Sequence, residues 1–171
     1  MNSSLSNSCL PAALSMLHNL MHILHKGQES ATQRQFDPAI LVQSRLAPDM
    51  FALSRQVQIS CDILKNGISR IAGIDAPKFE DTETTFEQLI GRVQKTIEFI
   101  KAINANQIDG KENNEITFPA GKDKTMTMNA HAYVHQWILP NLYFHVTTTY
   151  AILRNNGVNL SKVDYLMGDK R

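Results

Sequence analysis

The sequence predicts an all-α protein, a four-helix bundle with one small β-hairpin between its third and fourth long helices. Three observations predict it. Apolar residues recur at spacings of three and four through Leu10, Leu14, Leu17, Met21 and Leu24, and again through Phe86, Ile90, Val93, Ile97 and Ile100; this is the pattern of a helix with one buried face. Gly73 and Gly157 stand where two further helical stretches stop, as glycines in a left-handed C-cap do. After Asp109-Gly110 the period changes to the alternation Ile116-Thr-Phe and Met126-Thr-Met, around a turn from Pro119 to Lys124, which reads as a hairpin.

Each element follows in order. Helix one spans Ser8 to Glu29, with Pro11 in its first turn, and His18, His22 and His25 border its apolar stripe. Gly27 and the polar run to Gln35 break the pattern, and Phe36-Asp-Pro opens a link with a turn of helix through Leu41. Ala47-Pro48-Asp49 reads as the start of helix two, with proline in the first turn and an acid at the positive end of the dipole. That helix runs to Ala72, facing Met50, Leu53, Val57, Leu64, Ile68 and Ile71 inward and bracketing Gln56 and Ser60 between apolar neighbours.

Asp81-Thr-Glu-Thr-Thr launches helix three. Thr84 and Glu87 have capping-box spacing, with Asp81 or Thr82 as alternative caps, and the outer Glu, Arg, Lys and Gln residues read as a solvated face. Two strands alone are marginal, so the hairpin must pack on the bundle. Asn129 caps the final helix, Pro140 kinks it by displacing the carbonyl of Gln136, and Leu160, Val163, Tyr165 and Leu166 tuck a tail against the bundle.

A chain of 171 residues fits one domain, 1–171, with a substantial core. Its net charge is +1, from 17 basic and 16 acidic residues with the signs interspersed. That leaves no electrostatic footprint for nucleic acid or an anionic membrane. The apolar stretch Leu10–Leu24 lacks a preceding Lys or Arg and is interrupted by His18, Asn19 and His22, unlike a signal peptide. No segment has the ~18–20 apolar residues of a membrane span, so a soluble, cytoplasmic protein is expected. Cys9 and Cys61 fit reduced, buried thiols.

The candidate site is Asn141-x-x-x-His145, one above the other on a helix face shared with Trp137, Thr148 and Ile152. A polar pair on an apolar stripe needs partners. Nearby on the face of His18, His22 and His25 no Asp, Glu or Cys completes a metal shell, and they read as edge residues or interface contacts. His131-x-x-x-His135 has metal-pair spacing, a signal of little specificity. There is no Glu-x-x-His, P-loop or Gly-x-Gly-x-x-Gly, so di-iron carboxylate and nucleotide chemistry have no support. Arg154 reads as structural, anchoring the helix end or pairing with an acid such as Asp62 or Asp49.

The run from His145 through Ile152-Leu-Arg to Gly157 resembles the last helix of the DinB/YfiT-like bundles. The stretches Arg45-Leu-Ala-Pro-Asp-Met-Phe, Phe79-Glu-Asp-Thr-Glu-Thr-Thr and Pro140-Asn-Leu-Tyr-Phe-His-Val-Thr-Thr-Thr-Tyr-Ala-Ile-Leu-Arg look closer to a small bacterial family of unassigned function allied to DinB. The resemblance covers nearly the whole chain. It implies a three-histidine metal site, with His145 at the second position of a His-x-x-x-His pair, Asn141 replacing the first histidine, and Gln56 at the helix-two position. Two neutral amides are poor ligands for the borderline ions Zn²⁺ and Ni²⁺ that imidazole suits.

The resulting expectation is a small-molecule pocket lined by Gln56, Asn141, His145 and Tyr143 or Thr148, with a degenerate metal site. His145 is the best candidate for a catalytic group. The resemblance implies, as the enzyme alternative, a metal-dependent transferase or isomerase that uses a low-molecular-weight thiol, with Zn or Ni held weakly by His145. A non-catalytic homodimer is the third reading.

Overall fold

The computed structural model describes residues 4–169. Four helices of 17 residues or more dominate it: α1 (Leu5–Gln33), α3 (Leu53–Ala72), α4 (Phe86–Ala102) and α6 (Leu139–Asn155). α1 packs on α4 and α6, and α3 also packs on α4 and α6, so the four close a ring around the core. Short helices α2 (Ala39–Gln43), α5 (Ala130–Ala132) and α7 (Lys162–Met167) are additional. Helical segments therefore outnumber the four expected. Strands β1 (Glu115–Pro119) and β2 (Thr125–Asn129) pair antiparallel, with Ile116 opposite Met128 and Phe118 opposite Met126.

The helix starts differ from expectation for local reasons. Ser4 caps α1, its hydroxyl accepting from the Asn7 amide, so Pro11 lies inside the helix rather than in its first turn. Leu5, Cys9, Ala13, Leu17, Leu20 and Leu24 are buried along one face of α1, while Leu10, Leu14 and Met21 are only partly covered. Ala47-Pro48-Asp49-Met50 does not start a helix. It is a turn closed by the Met50 amide on the Ala47 carbonyl at 3.0 Å, with proline in the second place, where its fixed φ suits a β-turn equally well. α3 begins only at Leu53, whose amide returns to the Ser44 carbonyl at 2.9 Å. The capping box of α4 is Thr85 with Gln88, one residue beyond the Thr84 and Glu87 reading.

The outer face of α4 is solvated at Glu87, Gln88, Gln94, Lys95, Glu98 and Lys101, and Arg92 is the exception. Its side chain is 1% exposed and bonds Asp62 at 2.9 Å, Asp81 at 3.0 Å and Glu83 at 2.9 Å. The segment between α3 and α4 folds across α4 and carries Asp81 and Glu83 onto it. Lys65 joins by donating to the Pro77 carbonyl at 2.6 Å, and Phe79 lies under both cations. Arg154 is exposed and forms no ion pair with Asp62 or Asp49 among the described residues.

The hairpin packs as expected. Phe118 is buried and stacks on Tyr133, with ring centroids 4.3 Å apart. Asn129 caps α5 through the Ala132 amide at 2.8 Å. Between α5 and α6 the helix widens into a π-helical turn over Tyr133–Ile138, where the Leu139 amide reaches the Val134 carbonyl. Pro140 follows at the start of α6. A π turn absorbs the missing amide that would otherwise break the ladder, so the chain meets its proline with a widened turn. At the far end Gly157 takes φ 82°, the left-handed conformation that ends the helix. α7 then returns to α1, where Asn19 donates to the Tyr165 carbonyl at 2.8 Å and His22 meets Asp164 at 2.9 Å.

Candidate functional site

Two of the five candidate residues meet directly. The Nδ1 of His145, on α6, lies 2.7 Å from the Oε1 of Gln56, on α3, and the contact is buried. The other end of the same carboxamide is also engaged, its Nε2 donating to the Phe51 carbonyl at 3.2 Å. Turning the amide over would set two oxygens against each other at Phe51, so the network fixes its orientation. Gln56 must then accept from His145, and Nδ1 carries the ring proton. The Nε2 of His145 is left with its lone pair and no proton.

Burial pushes the His145 pKa down from 6.5 to about 4, and the positive charge of Arg55 adds to the effect. The imidazole is therefore neutral at neutral pH. Phe144 packs edge-on against it, with centroids 5.1 Å apart. A cavity of about 270 Å³ opens here, lined by Asp49, Met50, Phe51, Gln56, Phe144 and His145. Phe51 and Phe144 stand at its mouth 58% and 57% exposed, unusual for aromatic rings with no apolar cover.

The other candidates lie elsewhere. Asn141 does not line this cavity: its Nδ2 donates to the Trp137 carbonyl at 2.7 Å, one turn back, beside Pro140. Thr148 is buried but returns its hydroxyl to the Phe144 carbonyl at 2.8 Å, as Thr149 does to His145 at 2.9 Å. Such back-bonding satisfies a threonine inside a helix without a site. Tyr143 is on the exposed side of α6 and is not a lining residue either. Sequence reasoning missed Asp49, Met50, Phe51 and Phe144. The signal was the turn chemistry of Ala47-Pro48, which frees the following residues from a helix and lays them over His145.

Of the other histidines, His22 is held by Asp164 from α7, an acid that the α1 pattern alone does not supply. His131 and His135 stack with centroids 4.6 Å apart, and His135 Nε2 lies 3.4 Å from the Ser8 hydroxyl. Among the described residues no group of three or more His, Cys, Asp or Glu side chains is placed to hold a metal ion. Burial raises both thiols, Cys9 and Cys61, to about 12, which leaves them inert as nucleophiles. No described helix is long and apolar enough to cross a membrane.

The architecture is thus mainly helical, a ring of long helices with a small hairpin before the last one. The structure matches that of a DinB family member protein from Shewanella denitrificans with a TM-score of 0.85 and 36% sequence identity, over 92% of this chain and 89% of that one. The chain belongs to the family described as domain of unknown function DUF1993, whose model matches residues 5–166. No functionally curated protein matches it.

Proposed function

We propose that the protein binds a small molecule in the cavity beneath the 47–51 segment, with the Nε2 of His145 accepting a hydrogen bond from an O–H, N–H or S–H group of the ligand. The observation that carries this reading is the Gln56 bridge between His145 and the Phe51 carbonyl. It fixes the tautomer and leaves a neutral acceptor nitrogen on a residue that lines a mainly apolar cavity, the arrangement of an acceptor histidine. Phe51 and Phe144 would supply the apolar cover for the ligand body.

The donor set does not fit the transition metal that the DinB resemblance implies. Of the three positions, Asn141 is turned to Trp137, and the Gln56 oxygen already accepts from His145. One imidazole nitrogen is all that remains, against the three or four ligands a zinc site needs. The thiol-dependent enzyme reading therefore lacks its metal ligands, and a metal-independent role is favoured.

Ligand-observed NMR against a library of small alcohols, amides and thiols tests this. Ligands that bind the native protein and are lost from both His145→Ala and His145→Gln, while Arg70→Met retains them, are the expected result. Hits insensitive to His145, or no hits at all, would remove the reading. A rise in melting temperature with Zn²⁺ or Ni²⁺ that depends on His145 would restore the metal.

A further inference from the structure

A second cleft, with no lining residue in common with the first, lies between the outward face of α3, the hairpin and the π turn. Its volume is about 250 Å³, and it is lined by Arg55, Ile59, Asp62, Ile63, Asn66 and Arg70 of α3 facing Phe118, Pro119, Tyr133 and Trp137. Drug-sized sites run to ~300–1,000 Å³, so this one suits a single substituted ring.

Its wall is aromatic. Phe118 stacks on Tyr133 and lies 5.0 Å, centroid to centroid, from Trp137 at a tilt of 49°. The wide turn brings both Tyr133 and Trp137 to the cleft, and π turns of this kind are enriched at functional sites. The charges facing that wall are unequally occupied. Arg55 is paired with Asp81, and Asp62 is shared between Arg92 at 2.9 Å and Lys65 at 3.6 Å. Arg70 has no carboxylate partner among the described residues. It donates only to the Tyr133 hydroxyl, at 3.1 Å, which orients the guanidinium along the wall and leaves most of its five N–H donors open. One turn back, the Asn66 amide adds a polar group beside it.

We infer that this cleft binds a small aromatic monocarboxylate, its ring against the half-buried Trp137, which the buried Phe118–Tyr133 stack backs, and its carboxylate on Arg70. A planar fork with free donors matches a carboxylate, and π-faces match a ring. The cleft holds one uncompensated positive charge, that of Arg70, because Arg55 is paired with Asp81 and Asp62 with Arg92 and Lys65, and a monoanion balances it. A dianion such as phosphate would meet Asp62.

Trp137 is the single tryptophan in the chain, so its fluorescence reads this site alone. Titration with benzoate is expected to give a saturable change, confirmed by calorimetry. Benzamide, the same shape without the charge, should bind at least about tenfold more weakly, and so should benzoate to Arg70→Met, since a charge-assisted hydrogen bond is being removed. Arg70→Lys, which keeps the charge but loses the fork, should fall between. Circular dichroism and melting of both variants exclude a folding defect, which is not expected at an exposed side chain. The inference is overturned if benzoate gives no saturable signal by either method, if benzamide matches benzoate, if folded Arg70→Met binds as the native protein does, or if inorganic phosphate competes as well as benzoate. His145 takes no part, so failure here leaves the first pocket untouched.

Discussion

His145 on α6 and Gln56 on α3 meet at 2.7 Å across the ring of helices, and the carboxamide that holds the imidazole also holds the Phe51 carbonyl. A buried histidine kept neutral by its surroundings makes stability depend on pH in one direction. Its folded pKa, about 4, lies below the ordinary 6.5. Above 6.5 neither state is protonated and the contribution is complete. As pH falls from 6.5 towards 4 the unfolded chain takes up a proton that the folded one refuses, and stability drops by up to about 1.4 kcal/mol per pH unit. Urea titrations across that window should show the slope in the native protein and a flatter line in His145→Gln. Equal slopes would contradict the assigned protonation state.

Asp164 is kept charged rather than neutral, and its contribution also falls as pH falls, in a lower range. Burial opposes its charge, yet bonds from His22, the Ser161 amide and hydroxyl, and Lys26 prevail, and its carboxyl is held far below the usual carboxylate range. The contribution is present above the ordinary pKa of 3.8 and fades as pH falls further towards the folded value. Asp164→Asn should cost about 1–3 kcal/mol at neutral pH, by loss of charge-assisted bonds. Calorimetric melts should then converge with those of the native protein in acid.

Two glycines make a controlled pair. A Cβ on Gly67 would come within 2.5 Å of the Ile138 side chain, where α3 meets the π turn, whereas one on Gly91 meets nothing within 4 Å. Gly67→Ala should therefore destabilise by about 1–3 kcal/mol through overpacking. Gly91→Ala, in the middle of α4, should stabilise by about 0.5–1 kcal/mol. Urea midpoints moving in opposite directions are the check.

Among the described residues Arg92 is the one cation common to Asp62, Asp81 and Glu83. Its removal leaves three carboxylates together beside a buried gap, so Arg92→Ala should cost about 3–5 kcal/mol. Arg92→Lys recovers only part of that, because an ammonium cannot span three carboxylates as a planar fork does. Proteolysis within residues 74–85 should accelerate in both variants, since this network holds that segment down.

What could be read from the chain alone divides along the reach of its interactions. The α4 stripe, the Asn129 cap, the hairpin and the Gly157 stop are all set by neighbours within a few positions, and the structure has them where the pattern puts them. Gln56 was legible as a polar residue between apolar flanks, and His145 as its match on the last helix. Arg92 was not, because what buries it is a segment with no periodicity of its own. Nor was the turn at Ala47-Pro48, where the same proline is equally at home starting a helix or bending a loop. Asn141 has the spacing of a ligand and the job of satisfying a carbonyl beside Pro140, a choice that only packing decides.

The single amide of Gln56 has a further consequence. Because one planar group fixes both the Phe51 carbonyl and the imidazole proton, the position of the mouth and the location of that proton are one variable. A ligand that lifts the turn releases Gln56 from Phe51, frees the carboxamide to rotate, and so alters which ring nitrogen is basic. By thermodynamic reciprocity, whatever shifts the proton must bias the mouth to the same degree. Opening the cavity and setting its chemistry would then be a single event, and its mark would be a change in the His145 ring nitrogen shifts on binding with no net proton released to the buffer.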